Sequence, residues 1–441
     1  MMVKVENLFL LLSVVFGLGI LFVNPLFRTP DEVRHFWRSY QVSQGTILPS
    51  KSGTVLGGTL PASIVHIEDW QGPKSIIKIL ADGSTPAHSV LNYKLSSESR
   101  ESASFPNTAL YSPIPYLGSA AGITIGRISD SPIIMGHLGR IFNLMLWIAI
   151  CYLSIRLIPF GKFTLLVLCL NPVALQQAAS FSADVLTLAL SVLGVALVAR
   201  CFTLPHLSTR YLLGMLVVFS LLGLCKQPFV ALSLLVLIVP IKQFGTKRRY
   251  GIWSTGIIVA SLAAALLWIA TTNKFFIPTR TDVLIQPSEQ LRFVALHPLH
   301  FVESLVQTYV HQGLHISEGL SGLLGYGDLA IPAWATALLY VALPISLFTN
   351  TIASPLSKYK KTFLLALGAL IFCAINLLIY MSWARVGAPL IEGLQGRYFL
   401  PLITLLPFFA SKGRGWQRLA GFALVATVCL NLVLGLRVLA H

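Results

Sequence analysis

The sequence predicts an all-α polytopic membrane protein, and three observations carry that expectation. Of 441 residues, 55% are hydrophobic and only 11% charged, and the mean hydropathy is +0.76. Apolar runs long enough to cross a hydrocarbon layer of ~30 Å recur along most of the chain. The basic residues gather in alternate connections between those runs. Lipid admits only helices or closed barrels, because no water is there to satisfy backbone groups. These runs are too long and continuous for barrel strands.

Eleven spans are expected, near 7–26, 133–155, 163–181, 185–200, 211–225, 228–241, 251–272, 330–349, 362–381, 398–410 and 418–437. Several are shorter than the ~20 residues a straight span needs, so broken or tilted helices are expected. Lys4 precedes an apolar run from Leu8 to Phe22 with no small-residue cleavage site after it. That pattern reads as an uncleaved first helix.

With the N-terminus cytoplasmic, the inner connections hold 15 basic residues and a single acid, Glu6. The outer side holds the other 17 basic and 15 acidic residues. This is the asymmetry of the positive-inside rule. The net charge of +16 therefore reports orientation, and nucleic acid is not an expected partner. The run Ala109–Gly126 stays on the outer surface, since Pro113, Pro115, Tyr111 and Tyr116 suit an interfacial or re-entrant segment. The six cysteines all fall in apolar runs without metal-site spacing, and no disulfide is implied.

Two sizeable extracytoplasmic loops result. Residues 27–132 are rich in Gly, Ser and Pro, with short strands expected near 75–80 and 89–95. Residues 273–329 include an amphipathic helix from Glu289 to His315, interrupted at Pro298. No internal repeat, phosphate-binding glycine loop or nucleotide fingerprint is present. The inner loops are too short for the cytosolic domain that a nucleotide-activated donor would need.

The densest charge cluster is Thr29–Tyr40, TPDEVRHFWRSY, just where the first span leaves the membrane. Thr29, Pro30, Asp31 and Glu32 form a good helix start, with Thr as N-cap, Pro at N1 and Glu closing a capping box. One acid suffices for that, which leaves Asp31 over. Helical spacing puts His35 and Arg38 on the face of Asp31, at i+4 and i+7. Asp184 sits between two apolar runs, where an ionisable residue is costly and marks a functional candidate or an N-terminal helix acid. Lys226, at the outer tip of an apolar hairpin, either snorkels or offers a point charge to a phosphate. Arg140 lies inside an apolar run, where it needs an acid or a ligand as partner.

Arg385, Glu392 and Arg397 share one outer loop, where arginine suits bidentate phosphate binding or a plain salt bridge with Glu392. His297, His300, His311 and His315, with Glu318, include an i, i+4 pair, but an amphipathic interfacial helix explains them better than a metal. Acids for a base and cations for a phosphate thus gather on the outer side. That combination suits group transfer from a lipid-anchored phosphate donor.

Seven segments occur in order: PDEVRHFWRSYQVSQG at 30–45, YSPIPYLGSAAGITIGR at 111–127, LGRIFN at 138–143, NPVALQQAASFSADVL at 171–186, LCKQPF at 224–229, SGLLGYGDLAIP at 321–332 and EGLQGRYFLP at 392–401. Together they resemble GT-C-type integral membrane glycosyltransferases, close to a group of bacterial predicted membrane proteins catalogued as a domain of unknown function. The resemblance implies a GT-C-like transmembrane module over 1–272, the second outer loop at 273–329 and C-terminal helices over 330–441. It also implies a catalytic acid in the first outer loop, matched by Asp31 and by Glu32, a second acid after the third helix (Asp184), and a lysine before proline (Lys226). Tyr111, Tyr116, Gln177, Gln395 and Tyr398 lie within the same motifs and join the substrate- or phosphate-binding candidates. GYGD at 325–328 departs from the pattern, which has a tryptophan before the Asp.

The expected activity is inverting transfer of a sugar from a polyprenyl-phosphate donor to a glycan or glycolipid acceptor, at the outer face of a bacterial plasma membrane. Asp31 would act as base, Glu32 would cap or orient, and Lys226, Arg397 and Arg385 would hold the departing phosphate. No cofactor is required by the sequence. The Asp31–Glu32 pair could hold Mg²⁺ or Mn²⁺, although Arg34 and Arg38 can supply positive charge instead. The rivals are a polymerase or ligase using a lipid-diphosphate donor, and a lipid or glycan transporter. The latter is disfavoured by the lack of an inverted repeat.

Overall fold

A computed structural model describes residues 4–67, 93–278, 280, 283–413 and 415–440. Among the described residues helices dominate, and six are long and apolar enough to cross a membrane. They are α1 (Val5–Val23), α4 (Pro132–Leu157), α7 (Asp184–Cys201), α9 (Lys247–Thr272, continued by a 3-10 turn to Phe275), α13 (Lys358–Trp383) and α14 (Gln417–Ala440). The others needed here are α2 (Glu32–Ser43), α3 (Leu117–Gly126), α5 (Lys162–Cys169), α6 (Pro172–Ala178), α8 (Thr209–Cys225), α10 (Pro287–Leu296), α11 (Pro298–Ser321) and α12 (Ala333–Ser346). Burial sorts the long helices: 78% of the apolar window of α7 is enclosed, against 22% for that of α9. Helix α7 is therefore the central pillar, packed on α4 and α8, while α9 presents its flank outward.

Of the remaining expected spans, 211–225 and 330–349 fall on the shorter helices α8 and α12; the other three are not continuous α-helices, and proline interrupts them. Residues 163–181 break into α5 and α6 at Asn171–Pro172. Proline has no N–H and its ring clashes with the preceding turn, so it starts a helix rather than continuing one. Asn171 caps the new helix, its Oδ1 accepting from the amides of Val173 and Ala174. Its Nδ2 donates to Ser321 Oγ and ties α6 to the end of α11. Residues 398–410 form three short pieces around Pro401 and Pro407. The segment Gln227–Ile238 is a 12-residue 3-10 helix, which at ~2 Å per residue reaches further than an α-helix of that length.

The all-α expectation misses a small sheet. Strands β1 (Ser50–Ser52), β2 (Val55–Pro61) and β3 (Arg100–Ser104) pair antiparallel in that order. The strand expected at 75–80 lies outside the described residues, as does most of 89–95, whose described end (93–95) is not strand. The glycines that make 50–61 read as loop are what close the sheet. A Cβ on Gly57 would meet the Ala103 carbonyl oxygen at 2.1 Å, and one on Gly58 would meet Gln41 Nε2 at 2.0 Å. Gln41 Nε2 donates to the Gly57 carbonyl and fastens α2 to the sheet. Val33, Phe36 and Tyr40 of α2 then pack with Leu56, Leu60, Phe105 and Phe181 in a separate small core.

Helix α3 is only 10 residues long and lies against α4. At ~1.5 Å per residue it covers about half the hydrocarbon thickness. Residues 273–329 include α10 and α11, broken at His297 before Pro298. Leu299, Val302, Val306, Val310 and Leu314 make an exposed apolar stripe along α11.

Candidate functional site

The site is built at the ends of the helices, beginning with the anchor of α2. Glu32 is fully buried and held by Arg140 of α4, Nε to Oε1 at 2.7 Å and Nη2 to Oε2 at 2.6 Å. The same carboxylate accepts from the backbone amides of Thr29 and Phe181. The Thr29 contact is one half of the expected capping box; the other half is absent, because the helix starts at Glu32 with Asp31 in the cap position. Arg140 also donates to the carbonyls of Asn24 and Pro25, which joins α1, α2 and α4 at one point.

This arrangement turns Asp31 and Glu32 apart. Asp31 adopts a left-handed backbone, φ 62° and ψ 7°, which aspartate tolerates better than most residues and which recurs where structure is held for function. Its side chain is 38% exposed, accepts from Asn107 Nδ2 at 2.8 Å, and stands 3.9 Å from Arg397 Nη2. The two acids take different partners, Asn107 for Asp31 and Arg140 for Glu32. Among the described residues no group of three or more His, Cys, Asp and Glu side chains is placed to hold a metal.

Around Arg397 a charged cluster closes. Asp184, at the start of α7, receives Lys226 Nζ at 2.5 Å and lies 3.4 Å from Arg397 Nε. The latter is a charge contact only, since the buried Nε makes no hydrogen bond. The Tyr398 ring carries Lys226 Nζ at 4.4 Å from its centroid and the Arg397 guanidinium at 5.5 Å, both within cation–π range. Arg397 reaches this position because Gly396 sits against α11. A Cβ there would meet the Ile316 carbonyl oxygen at 2.0 Å.

His35 lies beside the cluster, buried, sharing a hydrogen bond of 2.9 Å with the Tyr116 hydroxyl. Burial pushes its pKa down to about 4, against the opposing pull of Asp31 and Asp184, so it is neutral at physiological pH. Burial also raises the pKa of the Tyr116 hydroxyl well above its ordinary value. Tyr111 packs edge-on against Tyr116.

Two pockets meet at this cluster. The first is narrow and runs between apolar walls of Trp147, Val185, Leu188 and Phe229, and is also lined by Asp184, Lys226 and Arg397. The second opens beside Pro30 and is lined by three glutamines and four glycines, together with His315, Tyr326 and Arg397. Gln177 and Arg397 belong to both.

Of the residues singled out in the sequence, Asp31, His35, Tyr111, Tyr116, Asp184, Lys226, Arg397 and Tyr398 come together, with Gln177 and Gln395 on the pocket walls. Arg38 does not. Seven residues along α2 is about 10 Å of rise, and its guanidinium instead holds the carbonyls of Ile47 and Tyr111 and Gln41 Oε1. Arg385 is exposed and lines neither pocket. Glu392 pairs with Arg280, in the segment before α10, not with a neighbour in its own loop. The histidines of α10 and α11 scatter, His300 toward the Gly387 carbonyl, His311 onto its own helix and His315 into the second pocket. Asn107 was not anticipated, since nothing in the sequence ties it to Asp31. Nor was the Arg28–Asp328 ion pair, which closes the GYGD turn over the start of α2.

Fold and composition define a multi-pass membrane protein with a charged cluster gathered at helix ends. The chain belongs to the family described as "Predicted membrane protein (DUF2142)", whose model matches residues 14–406. No curated protein and no solved structure matches it.

Proposed function

We propose that the protein is a GT-C-type glycosyltransferase that moves a sugar from a polyprenyl-phosphate donor to a hydroxyl of a glycan or glycolipid, with inversion. The carrying observation is Arg397. It is buried, its Nε makes no hydrogen bond, and it stands between Asp31 and Asp184 where an apolar pocket meets a polar one. A guanidinium held by charge contacts keeps donors for an oxyanion. The apolar walls of that pocket suit contact with a lipid tail, and Lys226 lies beside the place for the phosphate.

In this mechanism Asp31 takes the proton of the acceptor hydroxyl, and the oxygen attacks the anomeric carbon. The bond from that carbon to the phosphate oxygen breaks, and its electron pair leaves on polyprenyl phosphate, held by Arg397 and Lys226. Glu32 and Arg140 do not touch substrate in this scheme; they position Asp31. Asn107 orients the Asp31 carboxylate. No step requires a metal ion from Asp31 and Glu32.

The orientation belongs to the same proposal: eleven crossings, some by broken helices, the N-terminus cytoplasmic and the site on the outer face of a bacterial plasma membrane. It is supported by the ion pairs, which join residues that the charge distribution assigns to one side. Glu6 pairs with Lys162 on the inner side, and Arg28 with Asp328 on the outer. The decisive test is Asp31→Asn, assayed against polyprenyl-monophosphate and polyprenyl-diphosphate sugars. Transfer from the monophosphate donor is abolished while expression and donor binding stay near normal; retained transfer would overturn the role of Asp31.

A further inference from the structure

The second pocket has a chemistry of its own. Its walls carry the amides of Gln176, Gln177 and Gln395, and its one arginine, Arg397, already faces two carboxylates. Glycines 319, 325, 327 and 396 line it too, with His315 and Tyr326. Amide side chains both donate and accept, which matches hydroxyl groups rather than a fixed charge.

Gln177 is the most telling of these residues. It is 5% exposed, borders both pockets, and its Oε1 is buried without a hydrogen-bond partner. A buried amide oxygen without a donor costs free energy that a ligand hydroxyl would recover. Neighbouring Gln176 differs, since its Nε2 is already committed to the Gly325 carbonyl at 3.2 Å. That bond holds the GYGD turn in place as the pocket's rim. The Arg28–Asp328 pair pins the same turn to the segment leading into Asp31.

We infer that this pocket is a subsite for an uncharged, hydroxyl-rich sugar ring, with Gln177 Oε1 accepting from a ring hydroxyl beside the phosphate held by Arg397. The inference rests on the glycosyltransferase reading and adds the class of sugar and the residue that senses it. The ring belongs either to the donor or to the acceptor, and the test separates these.

Protein in nanodiscs is titrated with farnesyl phosphate, farnesyl-phosphate glucose and farnesyl-phosphate glucuronate, and, once saturated with farnesyl phosphate, with methyl glucoside. For a donor subsite, wild type binds farnesyl-phosphate glucose about tenfold more tightly than farnesyl phosphate, the worth of one or two hydrogen bonds. Gln177→Leu, and independently Gln395→Leu, erase that increment, so that each variant binds farnesyl-phosphate glucose no more tightly than farnesyl phosphate; an unfolding midpoint near that of wild type shows that the variants are folded. For an acceptor subsite, the gain and its loss appear with methyl glucoside instead. The assignment is overturned if neither sugar shows an increment that depends on Gln177, or if glucuronate binds more tightly than glucose. Failure of farnesyl phosphate to bind at all, with methyl glucoside binding still lost in Gln177→Leu, would instead remove the lipid-phosphate reading and keep the sugar subsite.

Discussion

Arg140 grips Glu32 through two parallel hydrogen bonds, and neither side chain touches solvent. Removing one partner strands the other charge in a low-dielectric interior, which costs roughly 3–5 kcal/mol. Glu32→Gln and Arg140→Leu should each lower the thermal unfolding midpoint of the detergent-solubilised protein sharply. Combining Glu32→Gln with Arg140→Leu should cost much less than the two single changes added together. Additive losses would show that the pair does not act as a unit.

Lys226 tests the phosphate side of the site. It is bonded to Asp184 and rests on the Tyr398 ring. If it holds the departing phosphate, Lys226→Met should weaken donor use by roughly tenfold to a hundredfold, the range of one charge-assisted hydrogen bond. Unchanged kcat and KM for the donor would leave Lys226 as a structural partner of Asp184.

Gly396 controls where Arg397 stands. Because a Cβ at this position would overlap the backbone of α11, Gly396→Ala must push the 396–399 turn away from α11. The expected result is loss of donor binding together with a lowered unfolding midpoint. Gly415→Ala serves as a control for glycine replacement in general, since a Cβ there meets nothing within 4 Å; its positive φ of 84° confines its effect to local strain. Normal donor binding in Gly396→Ala would show that Arg397 is not positioned by this contact.

His35 predicts a pH dependence. Its folded pKa of about 4 lies below the ordinary 6.5 because burial disfavours the imidazolium. Between those values the unfolded chain binds more protons than the folded one, so stability rises with pH across the window. The His35 contribution is complete above about pH 6.5 and is lost as pH falls toward 4, with a slope of at most about 1.4 kcal/mol per unit. Unfolding midpoints measured from pH 7.5 to 4.5 should fall less steeply for His35→Gln than for wild type. Parallel curves would contradict the burial-driven shift.

Much of the fold was legible because hydropathy and charge are one-dimensional quantities. Residues 133–155, 185–200, 362–381 and 418–437 became helices within a few residues of expectation, since backbone in lipid has few alternatives to a helix. The break at Pro298 was equally readable from the missing N–H. The strands β1–β3 were not, because 50–61 is glycine-rich and its alternation is weak; those glycines matter only once α2 and Phe105 press on the sheet.

For the site, residue type and chain order nominated Asp31, Asp184, Lys226 and Arg397 without any distance between them. What the sequence determined by itself was an apolar helical chain with its spare charges at helix ends, because a charge left in lipid is too costly to go unplaced. Only the tertiary structure decided which charges are spent on each other. It buried Glu32 against Arg140, drew Arg38 away to carbonyls, left Arg385 outside, and brought Arg397 across 366 positions of sequence to within 3.9 Å of Asp31. Pairing of that kind depends on packing angles between helices far apart in the chain, and no local pattern encodes them.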